Sequence, residues 1–187
     1  MASVTAYPTS MASQEGLDAF TNLSNVGADD GSNATWAADA EGAGVMVLTG
    51  FDFSAVPDTA TINGVLAEIE ASSTENSATV SFGSNFVGTV LRYDGGDIGD
   101  QRFSDWNPHF APSPALTVRS NGGEDDLWGA TLTPQIVKSA SFGIAIELAD
   151  VEFAETATID FVRLTITFTE AASVEMSKAH RMLLLDS

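Results

Sequence analysis

Hydrophobic and polar positions alternate most clearly near the end of the chain. Over residues 157–169, apolar side chains occupy odd positions up to Phe161 and even positions from Val162 onwards. Successive side chains of a strand point to opposite faces, so the segment predicts a long core strand. The change of parity predicts a bulge or bend near Phe161 and Val162.

Shorter alternating or apolar segments precede this strand. They lie at residues 45–48, 61–72, 78–82, 86–93, 116–120 and 142–148. Between the last two, Thr133 and Pro134 are typical of the N-cap and first position of a short helix. About eight strands with one short helix predict an all-β protein, a two-sheet antiparallel β-sandwich of jelly-roll type.

Composition divides the chain into three parts. Residues 1–43 are rich in small and polar side chains and predict an N-terminal arm with short strands. The sandwich is expected over residues 44–169. Residues 170–187 predict an amphipathic C-terminal helix, because small and apolar side chains recur there at helical spacing.

The C-terminal segment is too apolar at its end for a free tail. We expect it to pack either on its own domain or on a neighbouring subunit, and both alternatives stay open. Its candidate interface residues are Met176, Ala179, Arg181, Met182, Leu183, Leu184 and Leu185.

Charge excludes some functions and suggests a habitat. The chain has 26 acidic against 7 basic residues, a net charge of −19, and no cysteine. Too few cations are present to neutralise phosphates, so nucleic-acid binding is not expected. The acidic surface predicts a protein adapted to high salt, and an ordinary acidic surface is the alternative.

We expect no secretory signal and no membrane partner, since no apolar run approaches the roughly 18 residues that a span needs.

The sequence offers little for catalysis. A cysteine nucleophile is absent, and His109 and His180 lie in a long loop and in the C-terminal segment. Glu68 and Glu70 share one face of a predicted strand, where a solvated surface is the simpler interpretation. We therefore expect no enzymatic activity and no organic cofactor.

One metal site is suggested by spacing. Asp94, Asp97 and Asp100 recur every third residue among glycines, at the start of a loop expected over residues 94–114. Carboxylate oxygens in a flexible segment can surround calcium, although the spacing is not that of an EF-hand. A flexible acidic turn without a metal is the alternative.

Aromatic residues of the same loop suggest a second kind of ligand. Trp106 and Phe110 are candidates for stacking on sugar rings, whereas Trp128 lies between Leu127 and Gly129 and is expected in the core.

Several short motifs occur in a fixed order. They lie at residues 20–25, 30–35, 48–53, 56–65, 126–129, 133–134, 142–143 and 157–166. Together they resemble a module of tailed-phage and prophage virion proteins, over about residues 20–169. The resemblance implies a β-sandwich that serves as a structural or adhesive particle component without enzymatic activity. It does not extend to the segment after Thr169.

The resemblance leads to a functional expectation. We expect a virion protein of a tailed virus of bacteria or archaea, a decoration or cement protein that bridges subunits on the outside of the head. Its expected partners are the major capsid protein or other virion proteins, and further copies of itself in a trimer or dimer. A tail, fibre or baseplate component is one alternative. A carbohydrate-binding module, with a glycan and a cation held by the loop 94–114, is the other.

Overall fold

A computed structural model describes residues 1–15, 17, 19–37, 43–73, 88–102, 111–112, 115–149 and 156–171. Within these residues the chain forms twelve strands, a 3₁₀ helix at Leu23–Gly27 and the helix α1 at Pro134–Val137. The strands are β1 Ala2–Ala6, β2 Ser10–Ser13, β3 Phe20–Thr21, β4 Ala34–Ala37, β5 Ala43–Thr49, β6 Thr61–Ser73, β7 Gly88–Tyr93, β8 Gly96–Arg102, β9 Ala111–Pro112, β10 Thr117–Gly122, β11 Gly143–Ala149 and β12 Thr156–Thr169.

The described strands form two sheets that pack face to face. The larger has the order β10-β6-β12-β4-β3, with β1 also paired to β12 and β9 to β6. The smaller has the order β2-β5-β11-β7-β8. All pairs are antiparallel except β6 with β9. The predicted two-sheet antiparallel β-sandwich is confirmed, and the chain crosses repeatedly between the two sheets.

The long strand β12 contains the predicted bulge. Its register with β6 shifts between Ile159 and Val162, so Asp160 and Phe161 both lie opposite Glu70. Ile159 and Val162 are fully buried between the sheets. Phe161 is also buried but faces the other way. There its ring and the Tyr7 ring pack in a T-shaped arrangement, with 6.0 Å between the ring centroids. The change of parity in the sequence therefore marks a real break in the ladder.

The N-terminal segment contributes strands to both sheets. β1 pairs along β12 from Ala2 opposite Phe168 to Ala6 opposite Leu164. β2 pairs with β5 in the smaller sheet. The short strands of the expected arm, residues 1–43, thus lie within the sandwich and connect its two layers.

The short helix is also present as predicted. The Thr133 side chain accepts a hydrogen bond from the backbone N–H of Ile136 at 3.3 Å, and Pro134 occupies the first turn. Such a cap satisfies a donor that the helix itself leaves unpaired. Residues 172–187, with the predicted C-terminal helix and its interface residues, lie outside the described residues.

The prediction of a loop over residues 94–114 is wrong for residues 94–102. β7 and β8 form a hairpin whose two-residue turn is Asp94 and Gly95, with φ of 52° and 81°. Two consecutive positive φ values match the right-handed twist of paired strands, and an Asp-Gly sequence favours them. Trp106, His109 and Phe110 lie outside the described residues. In the described part of the chain, no helix is long and apolar enough to span a membrane.

Candidate functional site

The three aspartates of the predicted calcium loop lie at separate places on the hairpin. Asp94 is in the turn, and Asp97 forms an ion pair with Arg92, with 3.0 Å between Nη1 and Oδ1. The backbone N–H of Asp100 donates to the carbonyl of Trp128. Among the described residues, the carboxylates whose oxygens converge are a different set, so calcium binding at this loop stays a prediction.

The converging set is Asp29, Glu70 and Asp160 on the outer face of the larger sheet. Their nearest carboxylate oxygens all lie within 4.8 Å of one another. The β12 bulge turns Asp160 outwards opposite Glu70, and Asp29 follows the 3₁₀ helix. Asp160 is only 3% exposed, and its Oδ1 accepts the backbone N–H of Gly31 at 3.1 Å.

The crowding of these carboxylates changes the acidity of one of them. Partial burial, the charge of Asp160 and its hydrogen bond, and the charge of Asp29 together raise the pKa of Glu70, and Arg163 opposes them. Arg163 itself is engaged by the neighbouring Glu68 at 2.7 Å from its Nε. Oxygen ligands in this arrangement are of the type that calcium prefers. Sequence spacing could not reveal the group, because its three residues come from distant segments.

A second feature lies on the outer face of the smaller sheet. There the strands surround an open depression of about 110 Å³. It is lined by Gln14, Val45, Gly88, Val90, Arg92, Asp97, Gln101, Ala145 and Glu147. Ala145 and Glu147 alternate with core residues of β11, which places them on the face directed away from the core.

The polar side chains of the depression differ in how they are held. Arg92 donates to the carbonyl of Gly95 at 2.6 Å as well as pairing with Asp97. Within the described part of the chain, Gln101 and Glu147 make no side-chain hydrogen bond. Among the described residues, no side chain competes with a ligand for these donors and acceptors.

The tryptophans that the structure describes belong to the core. Trp128 is fully buried, as expected, and Trp36 is 1% exposed. The stacking candidates Trp106 and Phe110 lie outside the described residues, so a role for them stays a prediction. The depression was not predicted, because its residues come together only through the register of four strands.

Comparisons with known proteins give little beyond this geometry. No protein-family model matches the chain, and no curated protein matches it. Among solved structures, the chain is similar to one described as "xylan-binding module CBM15", at 15% identity and a TM-score of 0.39. That likeness covers 91% of this chain and 99% of the other. At this identity and TM-score the likeness carries no assignment of function.

Proposed function

We propose that the protein is a non-catalytic structural component of a tailed-virus particle, with decoration of the head as its specific role. The resemblance in the sequence supports this role. Its motifs supply the frame of the sandwich: Trp128, Phe142 and Ile159 are all fully buried. What the chain shares with the virion module is thus a scaffold, which suits a mechanical task.

The observation that carries the proposal is a sheet edge that no other described strand covers, beside the C-terminal end of β12. β1 pairs with β12 on one side, and on its other side it has no partner strand among the described residues. Ala2 lies opposite Phe168, and Thr169 and Glu170 lie next to Met1, which is 83% exposed.

The residues of β1 themselves carry none of the features that block pairing with another chain. Proteins block exposed edge strands with charges, proline or bulges. The five residues of β1 include no charged residue and no proline, in a chain where 18% of residues are charged. A strand from a neighbouring subunit could extend the sheet there, and the apolar residues 182–185 could dock nearby.

By this route, decoration would add buried interface between neighbouring subunits of the particle. Each copy would contact the major capsid protein or another virion protein by its edge and tail, and further copies around a symmetry axis. Two linked contacts hold a subunit far more tightly than either alone, because the second forms at high effective concentration.

Co-sedimentation with purified capsids that lack the protein tests the proposal. The full chain should bind, Ser3→Lys should weaken binding by placing a charge on the β1 edge, and Leu184→Asp should weaken it at the tail. Ser32→Lys adds the same charge in an exposed loop and should bind like wild type. Wild-type protein that fails to bind capsids, or Ser3→Lys that binds as well as Ser32→Lys, would contradict this role of the edge.

A second candidate function, carbohydrate binding, is favoured by the depression on the smaller sheet. Polar side chains there surround a small apolar floor, which is the general composition of small-molecule sites. A glycan array separates the candidates: a decoration protein without this activity binds capsids and no glycan, whereas a sugar-binding module binds glycans.

A further inference from the structure

We propose that the depression on the outer face of the smaller sheet is a binding site for an uncharged oligosaccharide. This inference rests on the second candidate function and assigns its site and ligand class. It moves the glycan site from the loop 94–114, where the sequence suggested it, to the open faces of β5, β7, β8 and β11.

The floor of the depression is apolar and already formed. Ala145 lies directly opposite Val90 in the ladder of β11 and β7. They are 5% and 9% exposed, yet both lie outside the cluster that fills the space between the sheets. They therefore form a small apolar base whose surface is mostly covered, so a ligand in the depression meets mainly the polar side chains around it.

Polar side chains stand at both ends of this floor. Glu147 lies between Val45 and Gly88 of the adjacent strands. Arg92 is four residues from Gly88 along β7, and hence about 13 Å away at the rise of a strand. Gln14 follows β2 beside Val45, to which its backbone N–H donates at 2.9 Å, and Gln101 approaches from β8.

These groups match the chemistry of sugar hydroxyls. A hydroxyl both donates and accepts, so it can pair with a carboxylate, an amide or a guanidinium. Arg92 is held in place by the Gly95 carbonyl and Asp97, which reduces the entropy lost when a ligand binds. The side chains of Gln101 and Glu147 are not engaged by any described residue.

The charges of the depression and of the whole chain favour an uncharged ligand. Two carboxylates, Asp97 and Glu147, face the depression with a single cation, Arg92, which is already paired with Asp97. The whole chain carries a net charge of −19, so its field repels anionic polysaccharides. A neutral glycan avoids this repulsion and needs no buried counter-charge.

Isothermal titration of the full chain with neutral oligosaccharides of hexoses and of pentoses tests the proposal, with polygalacturonate as the anionic comparison. Gln101→Ala should lower the affinity for the bound sugar by about tenfold, the loss expected for one well-placed hydrogen bond. Ala145→Leu fills the outward-facing floor and should abolish binding. Gln135→Ala removes the same side chain as Gln101→Ala from the exposed surface of α1 and should change nothing.

The outcomes separate the site from the function. Binding lost in Ala145→Leu and weakened in Gln101→Ala, with unchanged thermal unfolding, supports the inference. Sugar binding that both variants retain overturns the site and leaves the second function standing. Wild type that binds no neutral oligosaccharide overturns the second function and the inference together, while the capsid proposal keeps its own test. Preference for polygalacturonate overturns the ligand class.

Discussion

The indole N–H of Trp128 donates a hydrogen bond to the carbonyl oxygen of Val65 at 2.9 Å. Val65 belongs to β6 of the larger sheet. The backbone N–H of Trp128 donates to Asp126 Oδ1 at 2.7 Å, and the same oxygen accepts Arg102 of β8 at 2.7 Å. The segment 126–129 therefore connects β8, an edge strand of the smaller sheet, to β6 of the larger one.

Replacing Trp128 should destabilise the fold in a graded manner. Trp128→Ala should lower the free energy of unfolding by about 3–5 kcal/mol, through the cavity it leaves. Trp128→Phe keeps most of the apolar volume and should cost about 1–2 kcal/mol, because the hydrogen bond to Val65 is lost. Urea unfolding measures both values.

Trp36 provides the control for this hydrogen bond. It is also buried, but its indole nitrogen has no hydrogen-bond partner among the described residues. Trp36→Phe removes an unsatisfied donor and should cost less than Trp128→Phe. Equal losses in the two Phe variants would show that the Val65 contact contributes nothing.

Two glycines with nearly equal backbone angles should differ sharply when replaced. Gly122 has φ of +80°, and a Cβ there would lie 2.2 Å from the Val65 carbonyl oxygen and 2.4 Å from the Trp128 Nε1. Gly95 has φ of +81° with nothing within 4 Å. Gly95→Ala should cost about 1–2 kcal/mol of backbone strain. Gly122→Ala adds overpacking and should cost about 3 kcal/mol or more.

Thermal unfolding of the two variants checks this prediction. If Gly122→Ala melts at the same temperature as Gly95→Ala, the close approach of β10 to Trp128 does not restrict which side chain position 122 can carry. If both melt like wild type, the positive φ values themselves carry no strain.

Local patterns in the sequence were sufficient to predict the sandwich, the bulge in its longest strand and the short helix. The parity change at Phe161 and Val162 located the bulge, and Thr133 with Pro134 located a helix of one turn. The hairpin at Asp94 and Gly95 was missed because the glycines and aspartates around it were interpreted as a loop. An Asp-Gly pair after an apolar strand is a hairpin signal in its own right.

The two candidate sites could not be predicted in the same way. The Asp29, Glu70 and Asp160 group depends on how β12 bulges against β6, and the depression depends on the register of β11 with β5 and β7. Register is set by tertiary packing, so a pattern within one segment does not reveal which residues face each other. An aspartate between the apolar residues Ile159 and Phe161, as at Asp160, was the one local sign.

Glu70 should make stability depend on pH with an unusual sign. Its pKa is raised from the ordinary value of 4.5, so the folded protein keeps this proton where the unfolded chain has lost it. The stability that this group contributes is therefore greatest at low pH and is lost as pH rises through the raised pKa. Glu70→Gln should raise the melting temperature at pH 7 and flatten its decline above pH 4.5.

Glu68→Gln is the matched control for this prediction. It removes the same charge two residues away on the same strand face, but it breaks the ion pair with Arg163. That pair is partly exposed, so the loss should be about 1 kcal/mol or less. Stabilisation by Glu68→Gln as large as that by Glu70→Gln would show that only net charge matters.

Salt should stabilise the whole protein. At a net charge of −19 the folded chain confines its carboxylates at close range, and the described residues contain only four ion pairs with lysine or arginine. Raising ionic strength from 0.1 to 1 M shortens the screening length from about 10 to about 3 Å, which removes most repulsion between surface charges. The melting temperature should therefore rise across a sodium chloride series, and more steeply than in sucrose of equal osmolality, which stabilises by exclusion without screening. If the melting temperature rises equally in sodium chloride and in sucrose, repulsion between carboxylates does not limit stability. The acidic composition would then be an ordinary acidic surface instead of an adaptation to salt.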